Sequence, residues 1–66
     1  MKVVQDATGT HWICLEVPSK GGEPDGQRRM ECNSGAARVE IFVPEDWEDL
    51  ADGEFLGRIA KALAAR

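Results

Sequence analysis

Alternation is cleanest in the segment 37–43, where Ala37, Val39, Ile41 and Val43 fall on one side of an extended strand and Arg38, Glu40 and Phe42 on the other. The first set is predicted to face a core. In "RRMEC", residues 28–32, the same count puts Met30 and Cys32 on one side and Arg29 and Glu31 opposite. The segment "HWICLEV", residues 11–17, is ambiguous. Ile13, Leu15 and Val17 make one apolar set, and Trp12, Cys14 and Glu16 make a second that is only partly polar. The more uniform set, Ile13, Leu15 and Val17, is assigned inward, which turns Trp12 and Cys14 outward. With "KVVQ" at residues 2–5, these runs predict two β-hairpins. The first turns at "DATGT", where Asp6 opens a type I turn and Gly9 closes it; the second turns at "NSGA", where Gly35 is free to take positive φ.

Between the hairpins, Pro18 to Gln27 holds two prolines and three glycines and no apolar anchor, so it is predicted to be a mobile loop. After the second hairpin the period changes. Pro44 suits the first turn of a helix, and "PEDWEDLA" reads as a short helical turn. Phe55, Leu56, Ile59, Ala60 and Leu63 then recur at helical spacing and form a stripe to lay on the sheet. With Ala51 at the cap position, Leu50 and Phe55 are placed as a hydrophobic staple and Glu54 as the acid of a capping box; alternatively Asp52 is itself the cap. Acids at the helix start and Arg58, Lys61 and Arg66 toward its end suit the helix dipole. Trp47 is expected to close the small core as a lid. The predicted fold is α+β: an antiparallel sheet of three or four strands with a C-terminal helix on one face. Residues 1–17 form the first hairpin, 18–27 the loop, 28–43 the second hairpin and 44–66 the helical C-terminus, all in one small domain.

Composition narrows the function. Sixty-six residues lie near the lower limit for an unaided core. A formal charge of −4 disfavours partners held through phosphates, so duplex nucleic acid and anionic membrane are not expected. No apolar run approaches the roughly 20 residues of a spanning helix, and "MKVVQDATG" lacks a secretory pattern, which makes a cytoplasmic address the expectation.

Candidate chemistry is sparse. His11, Cys14 and Cys32 are the only soft metal ligands, one short of a structural zinc set, and His11 and Cys14 are three apart on a strand and so face opposite ways. On the assigned faces Cys14 and Cys32 also lie on opposite sides, so no disulfide, metal or cofactor is expected. A lone histidine and no tyrosine leave little from which to assemble a catalytic centre, and the glycines of the 18–27 loop lack Walker spacing. A non-enzymatic protein is the expectation.

What remains is the sheet face that the helix leaves uncovered, where Trp12 and Phe42 are predicted to stand beside Arg29, Glu31, Arg38 and Glu40; the competing reading is that cross-strand Arg–Glu pairs simply solubilise the sheet and that Trp12 turns inward, and Cys14 with it. Trp12, Arg29, Arg38 and Phe42 are the candidate partner-binding residues, and the expected function is a protein-interaction or self-association module, with a protein partner or a homodimer. One alternative is weak single-stranded RNA binding by the same aromatics. Another is mimicry of nucleic acid toward a basic protein by Glu45, Asp46, Glu48 and Asp49, with Asp52 and Glu54, since half of the twelve acids lie in these ten residues. Helix initiation competes with that second alternative as the reason for the acids.

Overall fold

A computed structural model describes residues 1–65. Four strands, β1 (Lys2–Gln5), β2 (His11–Glu16), β3 (Gln27–Asn33) and β4 (Arg38–Pro44), precede a 3-10 turn at Trp47–Asp49 and one α-helix, α1 (Asp52–Ala64). The sheet is an antiparallel meander in the order β1-β2-β3-β4, and α1 packs on one of its faces. The fold is therefore α+β, as predicted. Arg66, placed in the last helical turn by sequence, lies outside the described residues.

Both hairpins turn where the glycines allow it. Gly9 sits at φ +87 and donates its N–H to the Asp6 carbonyl at 3.0 Å; Gly35 sits at φ +88 in the second turn. A Cβ at either position would meet the steric penalty of left-handed backbone. The first turn is tied further through the Asp6 carboxylate. Its Oδ1 accepts from the Thr8 N–H (2.9 Å), the Thr8 hydroxyl (2.6 Å) and the Thr10 N–H (3.0 Å), and its Oδ2 accepts from the Trp12 indole N–H (3.2 Å).

That last bond belongs with the main departure from the sequence reading. Trp12 is only 4% exposed and Cys14 is fully buried, while Ile13 and Leu15 are 45% and 46% exposed. The faces of β2 are thus the reverse of the assignment made from alternation. Both faces of this strand are apolar, so alternation cannot choose between them; the register does. Trp12 lies opposite Val4, and Cys14 lies opposite Cys32, which itself lies opposite Val39. Opposed residues share a face, so the strongly apolar inner side of β4 carries β3 and β2 with it.

The core comprises Val4, Trp12, Cys14, Met30, Cys32, Val39, Ile41 and Val43 from the sheet, with Phe55 and Ile59 from α1 and Trp47 between them. Of the predicted helical stripe, Phe55 and Ile59 are buried, Leu56 is half-buried, and Ala60 and Leu63 are exposed. Trp47 is the lid. Its ring meets Phe55 edge-on at 6.4 Å and 81°, and its indole N–H donates to Glu16 Oε1 at 3.2 Å. Burying a side chain the size of Phe55 contributes on the order of 1.5–3 kcal/mol. Helix α1 begins after Ala51, which has extended backbone and offers no capping side chain, so Leu50 and Phe55 stand at the two staple positions.

Candidate functional site

The helix covers one side of the sheet, so the side chains of alternate parity stand on the other. Register places them in rows. Val3 faces Ile13, Ile13 faces Asn33, and Asn33 faces Arg38; in the next row Leu15 faces Glu31, which faces Glu40; beyond it Arg29 faces Phe42. The outer face therefore has two halves of different chemistry.

The β3–β4 half is charged and internally neutralised. Arg29 lies over the Phe42 ring, its guanidinium carbon 5.0 Å from the ring centroid. It pairs with Glu23 at 2.8 Å and Glu40 at 3.4 Å, and donates to the Gly21 carbonyl at 3.3 Å. Lys20 pairs with Glu40 at 3.3 Å, and Arg38 reaches Glu31 at 4.0 Å. Three cations thus stand against three carboxylates. The segment predicted to be a mobile loop is folded onto this half by these polar contacts. Glu23 anchors it, accepting from the Ser19 hydroxyl and from the backbone N–H groups of Lys20 and Gly21 at 3.1 Å each. The bond from Ser19, with the Lys20 N–H and Arg29, holds the Glu23 carboxyl down at about 2. The side chains of Arg29 and Glu23 are only 13% and 9% exposed, the best shielded ion pair of the face.

The β1–β2 half is apolar and open. Val3 (47% exposed), Ile13 and Leu15 stand side by side, and Met1 is more exposed still. Val3 and Ile13 occupy a non-hydrogen-bonded pair: the Asp6 N–H to Thr10 carbonyl bond at 2.9 Å sets the 6–10 pair as hydrogen-bonded, and alternation puts 3–13 between bonded pairs. In such pairs side chains stand closest, so the two make a continuous ridge. Beside the ridge runs a shallow groove of about 510 Å³, lined by His11, Ile13, Leu15, Glu31, Asn33, Ser34 and Gly35.

Of the residues that sequence singled out, the structure brings Arg29, Arg38 and Phe42 together on the outer face and removes Trp12. The indole is inside, bonded to Asp6, so the expected pair of exposed aromatics does not exist, and the stacking platform of the RNA reading loses its larger ring. Val3, Ile13 and Leu15 were missed. The signal that could have found them is the apolar character of both sides of β2, which requires that one set be left facing out whichever way the strand turns.

The acidic segment is divided. Glu45 reaches Arg28 at 3.7 Å, Asp52 reaches Lys2 at 3.3 Å and Glu54 pairs with Arg58 at 3.0 Å. Asp46, Glu48 and Asp49 are exposed, with no ion pair among the described residues. Glu48 and Asp49 belong to the first turn of the 3-10 segment, and Asp52 and Glu54 to that of α1, where acids favour the helix dipole. Among the described residues no group of three or more His, Cys, Asp or Glu could hold a metal, and no helix is long and apolar enough to cross a membrane. His11 and Cys14 do face opposite ways, but Cys14 and Cys32, placed on opposite sides by sequence, meet directly in the core. Comparison with protein-family models, with curated proteins and with solved structures returned no match.

Proposed function

We propose that this chain is a small non-catalytic self-association module whose outer sheet face pairs with a second copy of itself. The observation that carries this is the apolar ridge of Val3, Ile13 and Leu15, beside a charged half whose ions already satisfy one another. A partner chosen by charge would need an unbalanced field on the face. This face carries none, although the chain as a whole is at −4. An isologous interface instead requires that a protrusion and its complement lie on one surface, so that each copy gives the other what it receives. The ridge and the adjoining groove meet that requirement. A chain of this length also gains most from covering its second sheet face, because its own core is small.

Sedimentation velocity over a wide concentration range tests the reading, with Leu15→Asp and Ile13→Asp as controls. The wild-type coefficient is expected to rise with concentration and the variants' to stay at the monomer value. A wild-type protein that remains monomeric up to ~1 mM, where binding is worth only about 4 kcal/mol, contradicts it.

A further inference from the structure

Cys14 and Cys32 are direct cross-strand partners on β2 and β3, both free and both without exposed surface. Their place in the ladder sets how near they come. The Val17 N–H donates to the Arg29 carbonyl at 3.0 Å, which makes 17–29 a hydrogen-bonded pair and, by alternation, 15–31 and 13–33 as well. Cys14 and Cys32 fall between these as a non-hydrogen-bonded pair, for which the Cα separation is about 4.5 Å, inside the ~4.4–6.8 Å range that a disulfide spans. On the other side of Cys14 its cross-strand partner is Lys2. The Cys32 S–H donating to the Cys14 sulfur, with the Lys2 ammonium nearby, lowers the pKa of Cys14, and the same contact raises that of Cys32. With Lys2 as its cross-strand neighbour, Cys14 is the sulfur whose ionised form is the better supported.

We propose that Cys14 and Cys32 form a peroxide-sensitive dithiol site that closes into an intramolecular disulfide strapping β2 to β3. The Cys14 thiolate attacks one peroxide oxygen, the O–O bond breaks, and the departing hydroxide takes a proton to become water, leaving a sulfenic acid on Cys14. The Cys32 sulfur then attacks the Cys14 sulfur, the S–O bond breaks, and the second oxygen leaves as water with the remaining thiol proton. Each sulfur is oxidised by one electron and peroxide is reduced to two waters. Full burial favours a small peroxide over a bulky disulfide such as oxidised glutathione, because the reagent must reach a sulfur packed among Trp12, Met30 and Val39.

The strap acts where this sheet is least specified by its own sequence. A slip of one residue on β2 would exchange its two apolar sets. A bond between positions 14 and 32 forbids that slip and fixes Ile13 and Leu15 on the outer face. It also constrains the unfolded chain, for which a rise in Tm of about 10–20 °C is expected in a domain of this size.

The test uses the full chain, reduced and then exposed to hydrogen peroxide. Peptide mapping reads the two cysteines separately from oxidation at Met1 and Met30, a non-reducing gel reads the chain count, and a thermal melt reads the strap. The expected result is a Cys14–Cys32 cross-link within one chain, no thiol left to alkylate after unfolding, and a raised Tm that dithiothreitol reverses. In Cys32→Ala the sulfenic acid is expected to persist on Cys14 and to react with dimedone present as the chain is unfolded. Thiols that remain free, cysteines that go on to sulfinic acid without cross-linking, or a bond formed between two chains would each overturn the proposal.

Discussion

A single carboxylate decides the geometry of the first hairpin. Asp6 accepts four hydrogen bonds, the one from the Thr8 side chain weighing most and that from Trp12 next, and they hold its carboxyl at about 2. Glu23 is held equally low. Both pKa values are depressed in the folded state, from 3.8 and 4.5. The stability they contribute is therefore complete above the unfolded values and is lost as pH falls toward 2. Melting followed by tryptophan fluorescence is expected to show Tm falling across that window, with Asp6→Asn less stable at neutral pH and its acid decline shallower. A Tm indifferent to acid would contradict the Asp6 network. The orientation of β2 gives a second contrast at this scale. Trp12→Ala is expected to cost ~3–5 kcal/mol through the cavity it leaves, whereas Leu15→Thr, on the open face, should stay within about 0.5 kcal/mol in the monomer. Urea titration of the two variants measures both. Reading the sequence by alternation reverses that contrast, because Ile13, Leu15 and Val17 look more like a core set than Trp12, Cys14 and Glu16 do. The hydrogen bond from Trp12 to Asp6 joins residues in a turn and a strand, and no periodicity carries it.

At the scale of the element, strands β3 and β4 were legible because each has one apolar and one charged side, and the helix was legible from its spacing and staple. The relation between the hairpins was not. Ten residues, mostly proline, glycine and charge, separate β2 from β3 and leave the register between them free on paper; the β2–β3 ladder, from Ile13 opposite Asn33 to Glu16 opposite Met30, joins the two hairpins into one sheet. The loop itself was read as mobile because it has no apolar anchor, yet Glu23 ties it down through polar bonds that depend on side chains brought together only in the fold. Helix α1 retains two weak points. Ala51 leaves the first N–H groups without a side-chain partner, and Gly57 sits mid-helix with open space around the position of a Cβ. Ala51→Ser is expected to stabilise by ~1 kcal/mol and Gly57→Ala by about 0.5–1 kcal/mol, each read from the denaturation midpoint. Loss of stability in Gly57→Ala would show that the helix packs more closely there than the structure has it.

The whole molecule is two layers thick, one helix on one sheet; the helix shields one side, and on the other the loop covers the β3–β4 half and leaves the β1–β2 half open. The proposed pairing would stack four layers, helix–sheet–sheet–helix, with each sheet lying between its own helix and the second copy's sheet. Alternation put Arg29, Arg38 and Phe42 on the face away from the helix, and they stand there. It misassigned the chemistry, because the aromatic placed there belongs to the core and the aliphatic ridge placed in the core belongs there. The most direct measurement is methyl NMR of the wild-type protein as a function of its concentration. The Val3, Ile13 and Leu15 methyl resonances are expected to shift together on concentrating the sample, while those of Val4, Val43 and Ile59, inside the monomer, stay in place. Resonances of the ridge that do not move, or movement confined to the helix side, would contradict pairing through the outer face.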